Sequence, residues 1–234
     1  MNVYLAEIIG TAILILLGNG VVANVLLSKT KGHSAGTLFI TIGWALAVLI
    51  PALIFGEFSG AHFNPALTIA LAVMGNFEWA LVPGYIASQF TGAIIGAVLV
   101  WLYYKDHFDA TEDKDLKLAC FSTGPNIRNL SMNFISELIG TFILVFAIVG
   151  IGNTMFADGL QTFGVGGIIL VIGISLGGTT GYAINPCRDL GPRIAYAFLP
   201  IKDKRNPDWG YALIPVLGPI AGALAAAFLA MAIF

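Results

Sequence analysis

The 234-residue chain carries eleven Lys or Arg and thirteen Asp or Glu, so charged side chains make up 10% of it, against 58% hydrophobic residues and a mean hydropathy of +0.88. A soluble domain holds roughly 25% charged residues, a disordered chain is poorer in apolar residues, and a nucleic-acid binder needs a basic surface. The composition excludes all three, and the net charge of −2 predicts no polyanionic partner and no nucleic acid.

Sixteen of the charges fall in three short stretches, 29–31, 105–128 and 202–208. Between them run apolar spans, several longer than the ~18–20 residues that cross a bilayer. The chain therefore reads as an all-α, multi-pass membrane protein. The first span, 4–28, starts almost at Met1 with no basic region before it and no small-residue cleavage pattern after it, and reads as a retained helix rather than a signal peptide. A second span covers 36–56. A shorter apolar piece, 65–75, opens with Asn64-Pro65 and is too short to cross, which predicts a re-entrant half-helix. The third span is 81–104, and the polar stretch 105–132 reads as a linker. Spans at 133–157 and 161–178 follow, then a second short piece, 186–199, opened by Asn185-Pro186, and a last span at 210–234.

The two sides of the linker resemble each other. Glu7-Ile8-Ile9-Gly10-Thr11 returns as Glu137-Leu138-Ile139-Gly140-Thr141, Asn64-Pro65-Ala66 as Asn185-Pro186-Cys187, and Gly92 with Gly96 as Gly218 with Gly222. The order is kept and the offsets, 121 to 130 residues, differ only by loop-sized amounts. One domain over 1–234 is expected, with a first repeat at about 1–104 and a second at about 133–234. Each repeat has three full spans, an odd number, so the second enters from the opposite side and forms an inverted repeat. The GxxxG pairs predict close helix packing rather than a transport role.

Any single Asn-Pro is first a helix start, because Asn caps and Pro suits the first helical position. Here two copies open segments too short to cross, each after glycine-rich polar backbone, and non-helical backbone at membrane depth is tolerated only against protein or a watery cavity. The two N-termini are expected to meet near the midplane, each with a positive dipole end. If each Asn Oδ1 caps its own helix, each Nδ2 remains free to donate into a lumen.

These residues carry a resemblance. Ser59-Gly60-Ala61-His62-Phe63-Asn64-Pro65-Ala66 and Gly181-Tyr182-Ala183-Ile184-Asn185-Pro186-Cys187-Arg188-Asp189 resemble the two boxes of the aquaporin (major intrinsic protein) family, and the resemblance covers essentially the whole chain. The tail Arg188-Asp189-x-Gly191-Pro192-Arg193, with Pro215 in the last span, is similar to the aquaglyceroporin branch of bacterial glycerol facilitators. The family implies six membrane helices, two half-helices and a homotetramer with one pore per protomer. It also implies a selectivity constriction at Trp44, Gly173, Tyr182 and Arg188. The backbones of Gly60, Ala61, His62, Phe63, Gly181, Ala183 and Ile184 would line the pore. The glycine at 173, where water-selective members have His, implies a wider opening, with Trp44 and Tyr182 facing the C–H edge of glycerol and Arg188 its hydroxyls.

Other readings stand beside these. Arg188 within the membrane also reads as a snorkelling or salt-bridged arginine held by Asp189. Asp189 reads either as an orienter of Arg188 or as a structural anion favoured in a first helical turn. Glu7 and Glu137 read as a proton relay or, by resemblance, as acceptors for backbone N–H groups of the re-entrant loops. Two residues depart from the family pattern: Cys187 replaces Ala and puts a thiol near the pore midplane, and Tyr182 replaces Phe and adds a hydroxyl to the corner.

Cys120 and Cys187 set no disulfide framework, and with three scattered His they match no metal spacing, so no cofactor or metal is expected. Every loop Lys and Arg lies in the first, third or fifth connection, which would put the termini outside by the positive-inside rule, whereas the family implies cytoplasmic termini in the plasma membrane. The expected function is a passive channel for glycerol, water and similar neutral solutes in contact with lipid, excluding ions and protons. Undissociated lactic acid, dihydroxyacetone, urea and hydrogen peroxide are alternative cargoes. A secondary transporter and a membrane-embedded enzyme are the rivals, and the sequence offers neither a coupling pair nor a nucleophile–base pair.

Overall fold

A computed structural model describes every residue except 156 and 158. Among the described residues the chain forms ten helices and no strand: α1 (Val3–Leu26), α2 (Thr37–Ser59), α3 (Pro65–Val73), α4 (Val82–Tyr103), α5 (Lys105–Ala110), α6 (Lys114–Ala119), α7 (Leu130–Gly152), α8 (Leu160–Leu176), α9 (Pro186–Phe198) and α10 (Ile214–Ile233). Local chemistry sets their ends. Asn2 caps α1 by accepting from the Tyr4 N–H at 2.8 Å, Asn129 caps α7 through the Met132 N–H, and Gly60, at φ 77°, terminates α2 in the left-handed conformation.

Helices α1, α2, α4, α7 and α10 are long and apolar enough to cross a membrane. At 17 residues, α8 spans about 26 Å, the lower end of the crossing range. The nine residues of α3 and thirteen of α9 reach only about 14 and 20 Å, so neither can cross. The architecture is that of six membrane helices with two half-helices. Helix α7 ends at Gly152 rather than at the expected 157, and residue 156 of that expected span lies outside the described residues. The stretch 105–132 also differs from a plain linker. It holds α5 and α6, the latter capped by Asp113, whose Oδ1 accepts from the Asp115 and Leu116 N–H groups.

The helices pack α1 on α4 and α7 on α10, with α2 against α8 between the halves. Each half-helix lies on the last helix of the other half, α3 on α10 and α9 on α4, which draws their N-termini together at the centre. Lipid supplies no hydrophobic drive between membrane helices, so close backbone approach carries the association. A Cβ on Gly92 or Gly96 would collide with the Ile8 and Ala12 carbonyls of α1, and one on Gly222 with the Leu138 carbonyl of α7. Leu46, Ile50, Ile54, Ile174 and Phe228 point outward from α2, α8 and α10, as a lipid-facing surface requires. The protein is a multi-pass membrane protein.

Candidate functional site

The two re-entrant segments share one backbone solution. Gly60, Ala61 and Phe63 in the first, and Gly181, Tyr182 and Ile184 in the second, all hold positive φ between 39° and 82°. A non-glycine residue in this region costs roughly 1–2 kcal/mol, and four are held there. Two buried carboxylates offset that cost. Glu7 accepts from the His62 and Phe63 N–H groups at 3.0 and 2.8 Å, from the Ser59 hydroxyl at 2.7 Å and from Gln89 Nε2 at 2.8 Å. Glu137 accepts from the Ala183 and Ile184 N–H groups at 3.0 and 2.8 Å. Hydrogen bonds to a charged acceptor contribute about 1.5–3 kcal/mol each, so the contorted loops are held in place. Each Glu7 oxygen already serves two donors, which leaves no seat for a relayed proton.

The same geometry leaves acceptors unused. Among the described residues no protein donor reaches the carbonyls of residues 60–62 or 181–183. Residues 60–62, 182 and 183 border a cavity at membrane depth, and their carbonyls stay available for a guest that brings hydroxyls or water.

At the centre, Asn64 Oδ1 accepts from the Ala66 N–H at 2.9 Å, and Asn185 Oδ1 from the Cys187 and Arg188 N–H groups at 3.1 and 3.3 Å. Their amide nitrogens are not wholly free, as the capping argument alone would have them. Asn64 Nδ2 donates to the Ile184 carbonyl at 2.9 Å and Asn185 Nδ2 to the Phe63 carbonyl at 2.8 Å, so each loop clips the other. One N–H remains on each amide. Pro65, Ala66 and Pro186 are buried in the first turns behind these asparagines.

A cavity of about 610 Å³ runs past these groups, lined by Gly60 to Asn64, Tyr182 to Asn185, Trp44 and Arg188, and by apolar side chains of α2, α3, α7 and α8. The Arg188 guanidinium lies 4.0 Å above the Trp44 ring. Among the described residues no protein acceptor meets its side-chain N–H groups, so they are left for cavity contents. Arginine in a membrane helix costs ~2.5–3.5 kcal/mol on insertion scales, and a desolvated cation–π contact returns about 2.

The expected lining roles of Gly173, Cys187 and Gly181 meet a different geometry, and the contacts of Asp189 fit its structural reading rather than that of an orienter. Gly173 does not line the cavity; it stands behind Tyr182, and a Cβ there would sit 2.9 Å from Tyr182 Cζ and 3.0 Å from its hydroxyl oxygen. The glycine seats the tyrosine ring, and the tyrosine hydroxyl turns to this wall rather than to a guest. Cys187 is fully buried and outside the lining. Its thiol faces Asn185 Oδ1 at 3.1 Å and the Phe63 carbonyl at 3.4 Å. Asp189 does not orient Arg188: its carboxylate pairs with Arg193 at 2.8 Å and accepts from the Thr123 N–H and hydroxyl, both at 2.6 Å. Gly181 likewise stays off the lining, beneath Thr123.

Sequence reasoning passed over Gln89 and Thr123 and took Arg193 only as the end of the second box. Gln89 and Arg193, both fully buried, were visible as polar residues in membrane-embedded segments, which is a signal for a buried bond network. Thr123 sits in a loop and offered no such signal. Among the described residues no group of three or more His, Cys, Asp or Glu could hold a metal ion.

Comparison with known proteins agrees with this geometry over nearly the full chain. A probable glycerol uptake facilitator protein of Thermotoga maritima is 54% identical over 229 residues, covering 98% of each chain. A glycerol uptake facilitator protein of Streptococcus pneumoniae is 53% identical over 223 residues, 95% of each chain. The X-ray structure of the aquaglyceroporin from Plasmodium falciparum superposes with a TM-score of 0.88 at 31% identity, covering 99% of this chain and 95% of that one. The sequence model of the major intrinsic protein family matches residues 1–230, and the chain belongs to that family.

Proposed function

We propose that the chain is a passive channel that conducts glycerol, water and related small neutral solutes and performs no enzymatic reaction. One observation carries this reading: a single cavity is polar on one side, through unpaired carbonyls and the Arg188 guanidinium, and apolar on the other, through Trp44 and the Tyr182 ring. A polyol has the same two faces. Trp44, Tyr182 and Arg188 form the selectivity constriction, with Gly173 setting where Tyr182 stands. The carbonyls of residues 60–62, 182 and 183 replace water around the moving solute. Glu7 and Glu137 hold the two loops. The remaining N–H of Asn64 and of Asn185, with the positive ends of α3 and α9, orients a central water and repels cations, so protons do not follow. The names and high identity of the bacterial relatives favour glycerol as cargo.

The protein acts as a homotetramer in the plasma membrane, with cytoplasmic termini; here the family resemblance outweighs the basic residues of the outer loops. The test is transport in proteoliposomes. Stopped-flow light scattering with glycerol, urea and dihydroxyacetone reads the cargo, and a counterflow experiment reads the mechanism. A channel gives saturation-free flux without trans-stimulation and without a proton current. Trans-stimulation, or proton current that scales with flux, would overturn the proposal.

A further inference from the structure

The second re-entrant segment carries Tyr182 and Arg188, and it is braced from outside by a short piece of the 105–132 connection. Thr123 donates both its N–H and its hydroxyl to Asp189 Oδ2 at 2.6 Å, one residue from Arg188. The other Asp189 oxygen takes the Arg193 fork, and the Thr123 carbonyl accepts from Arg193 Nη2 at 2.9 Å. With the Pro207 and Asp208 carbonyls on Nη1, every N–H of that guanidinium has an acceptor, and the side chain is fully buried. At the other end of the segment, the Asn126 N–H reaches the Thr179 carbonyl at 3.3 Å and Asn126 Nδ2 the Gly178 carbonyl at 3.2 Å. Between them, the Thr123 side chain lies 3.5 Å from where a Gly181 side chain would begin.

Among the described residues the first segment has no such brace. Its holders, Ser59, Tyr85 and Gln89, come from its own half and act with Glu7. Beside this brace, the Tyr182 ring sits against Gly173 and Gly177, and the Arg188 guanidinium lies on the Trp44 ring. Arg188 makes no side-chain bond to protein among the described residues, and the Tyr182 hydroxyl is a buried group without a partner. Neither contact is a hydrogen bond, so the place of both side chains depends on the backbone that carries them as well as on these packing contacts.

We infer that Thr123, supported by Asn126, is a positioning residue that sets the width of the constriction by clamping both ends of residues 178–189. The clamp works through Asp189 and Arg193 and touches no solute. The inference rests on the reading of Trp44, Tyr182 and Arg188 as the constriction.

Loosening the clamp lets the segment wander outward, so the constriction admits larger solutes. The measurement is the ratio of ribitol to glycerol permeability in proteoliposomes, normalised to inserted protein. Thr123→Val keeps the branched shape and removes the hydroxyl donor. We expect the ratio to rise about threefold or more, a modest share of the roughly hundredfold that a 1 Å misplacement costs a positioned site. Thr123→Ser restores the donor and returns the wild-type ratio. Asn126→Ala, at an exposed position, raises the ratio in the same direction and covers the case in which the valine variant does not insert. A purely structural role lowers all fluxes together and leaves the ratio alone. Trp44→Ala separates the two levels. If it raises the ratio while Thr123→Val and Asn126→Ala do not, the clamp is refuted and the constriction stands. If none of the three changes the ratio, the constriction itself is misplaced and the clamp falls with it.

Discussion

Gly173 is the position at which one methyl group should tell whether Tyr182 sets the pore's width. An alanine Cβ there lands 2.9 Å from Tyr182 Cζ, 3.0 Å from the hydroxyl oxygen, and inside contact of the Thr41 methyl. Carbon atoms rest at about 3.5–4.0 Å, so the ring must give way by roughly 0.5–1 Å. Thr41 blocks one side, and the cavity that Tyr182 lines offers room on the other. Overpacking of this kind costs about 1–3 kcal/mol. If only about 1.4 kcal/mol of it reaches the passage barrier, glycerol flux drops tenfold. Water passes as single molecules and should lose less than about half its flux by the same reasoning, because it needs no room beside its hydrogen-bonding edge. Gly177→Ala presses on the same ring, at 2.6 and 2.9 Å from Cδ1 and Cε1, and should shift the ratio in the same direction; Gly173→His should do so more strongly. Paired osmotic swelling assays on one vesicle preparation read glycerol and water together. A glycerol-to-water ratio equal to wild type in both alanine variants, with water flux intact, would refute the idea that Tyr182 bounds the passage.

Other outcomes follow from the same contacts. Both cysteines are fully buried and free, and burial pushes the Cys120 thiol well up, so a small mercurial should leave wild-type flux unchanged; inhibition relieved by Cys187→Ala would put that thiol in the lumen after all. Glu137→Gln removes the charge from two backbone bonds and turns an amide N–H towards a donor, which should cost about 2–4 kcal/mol. Thermal unfolding in detergent would expose the error if the variant kept the wild-type midpoint. The Arg128 guanidinium holds the Asp208 carboxyl below its ordinary value of 3.8, through bonds of 2.8 and 2.9 Å. A depressed carboxylate contributes its stability above the ordinary value and loses it as pH falls through the lower one. Over roughly pH 5–8 the pair's contribution should therefore be fully present and constant, adding no slope to the unfolding midpoints; a midpoint that climbed with pH across that range only while Arg128 was present would contradict the assignment.

The sequence by itself determined what depends on the bilayer and on local turns. Six spans and two pieces too short to cross follow from apolar run lengths set against membrane thickness, and α8 alone came out near the lower limit. The Asn-Pro starts held because capping is a matter of two or three neighbouring residues. The duplication was read from anchors that keep their order. Short α5 and α6 were not, since six-residue helices rich in charge carry no apolar period. The rest was decided across the chain. Asn64 and the Ile184 carbonyl it meets lie 120 residues apart, and Thr123 meets Asp189 across 66. Spacing along a helix tells which residues share a face but not what stands opposite. Only the packing of α8 against the second re-entrant loop turned Gly173 from a pore wall into a seat for Tyr182. Only the contact between the two half-helices turned the Cys187 thiol towards the Phe63 carbonyl, and only the fold of the long connection gave Asp189 to Arg193 and Thr123 instead of Arg188. A buried polar group takes the partner that desolvation leaves within reach, and that choice is made in three dimensions.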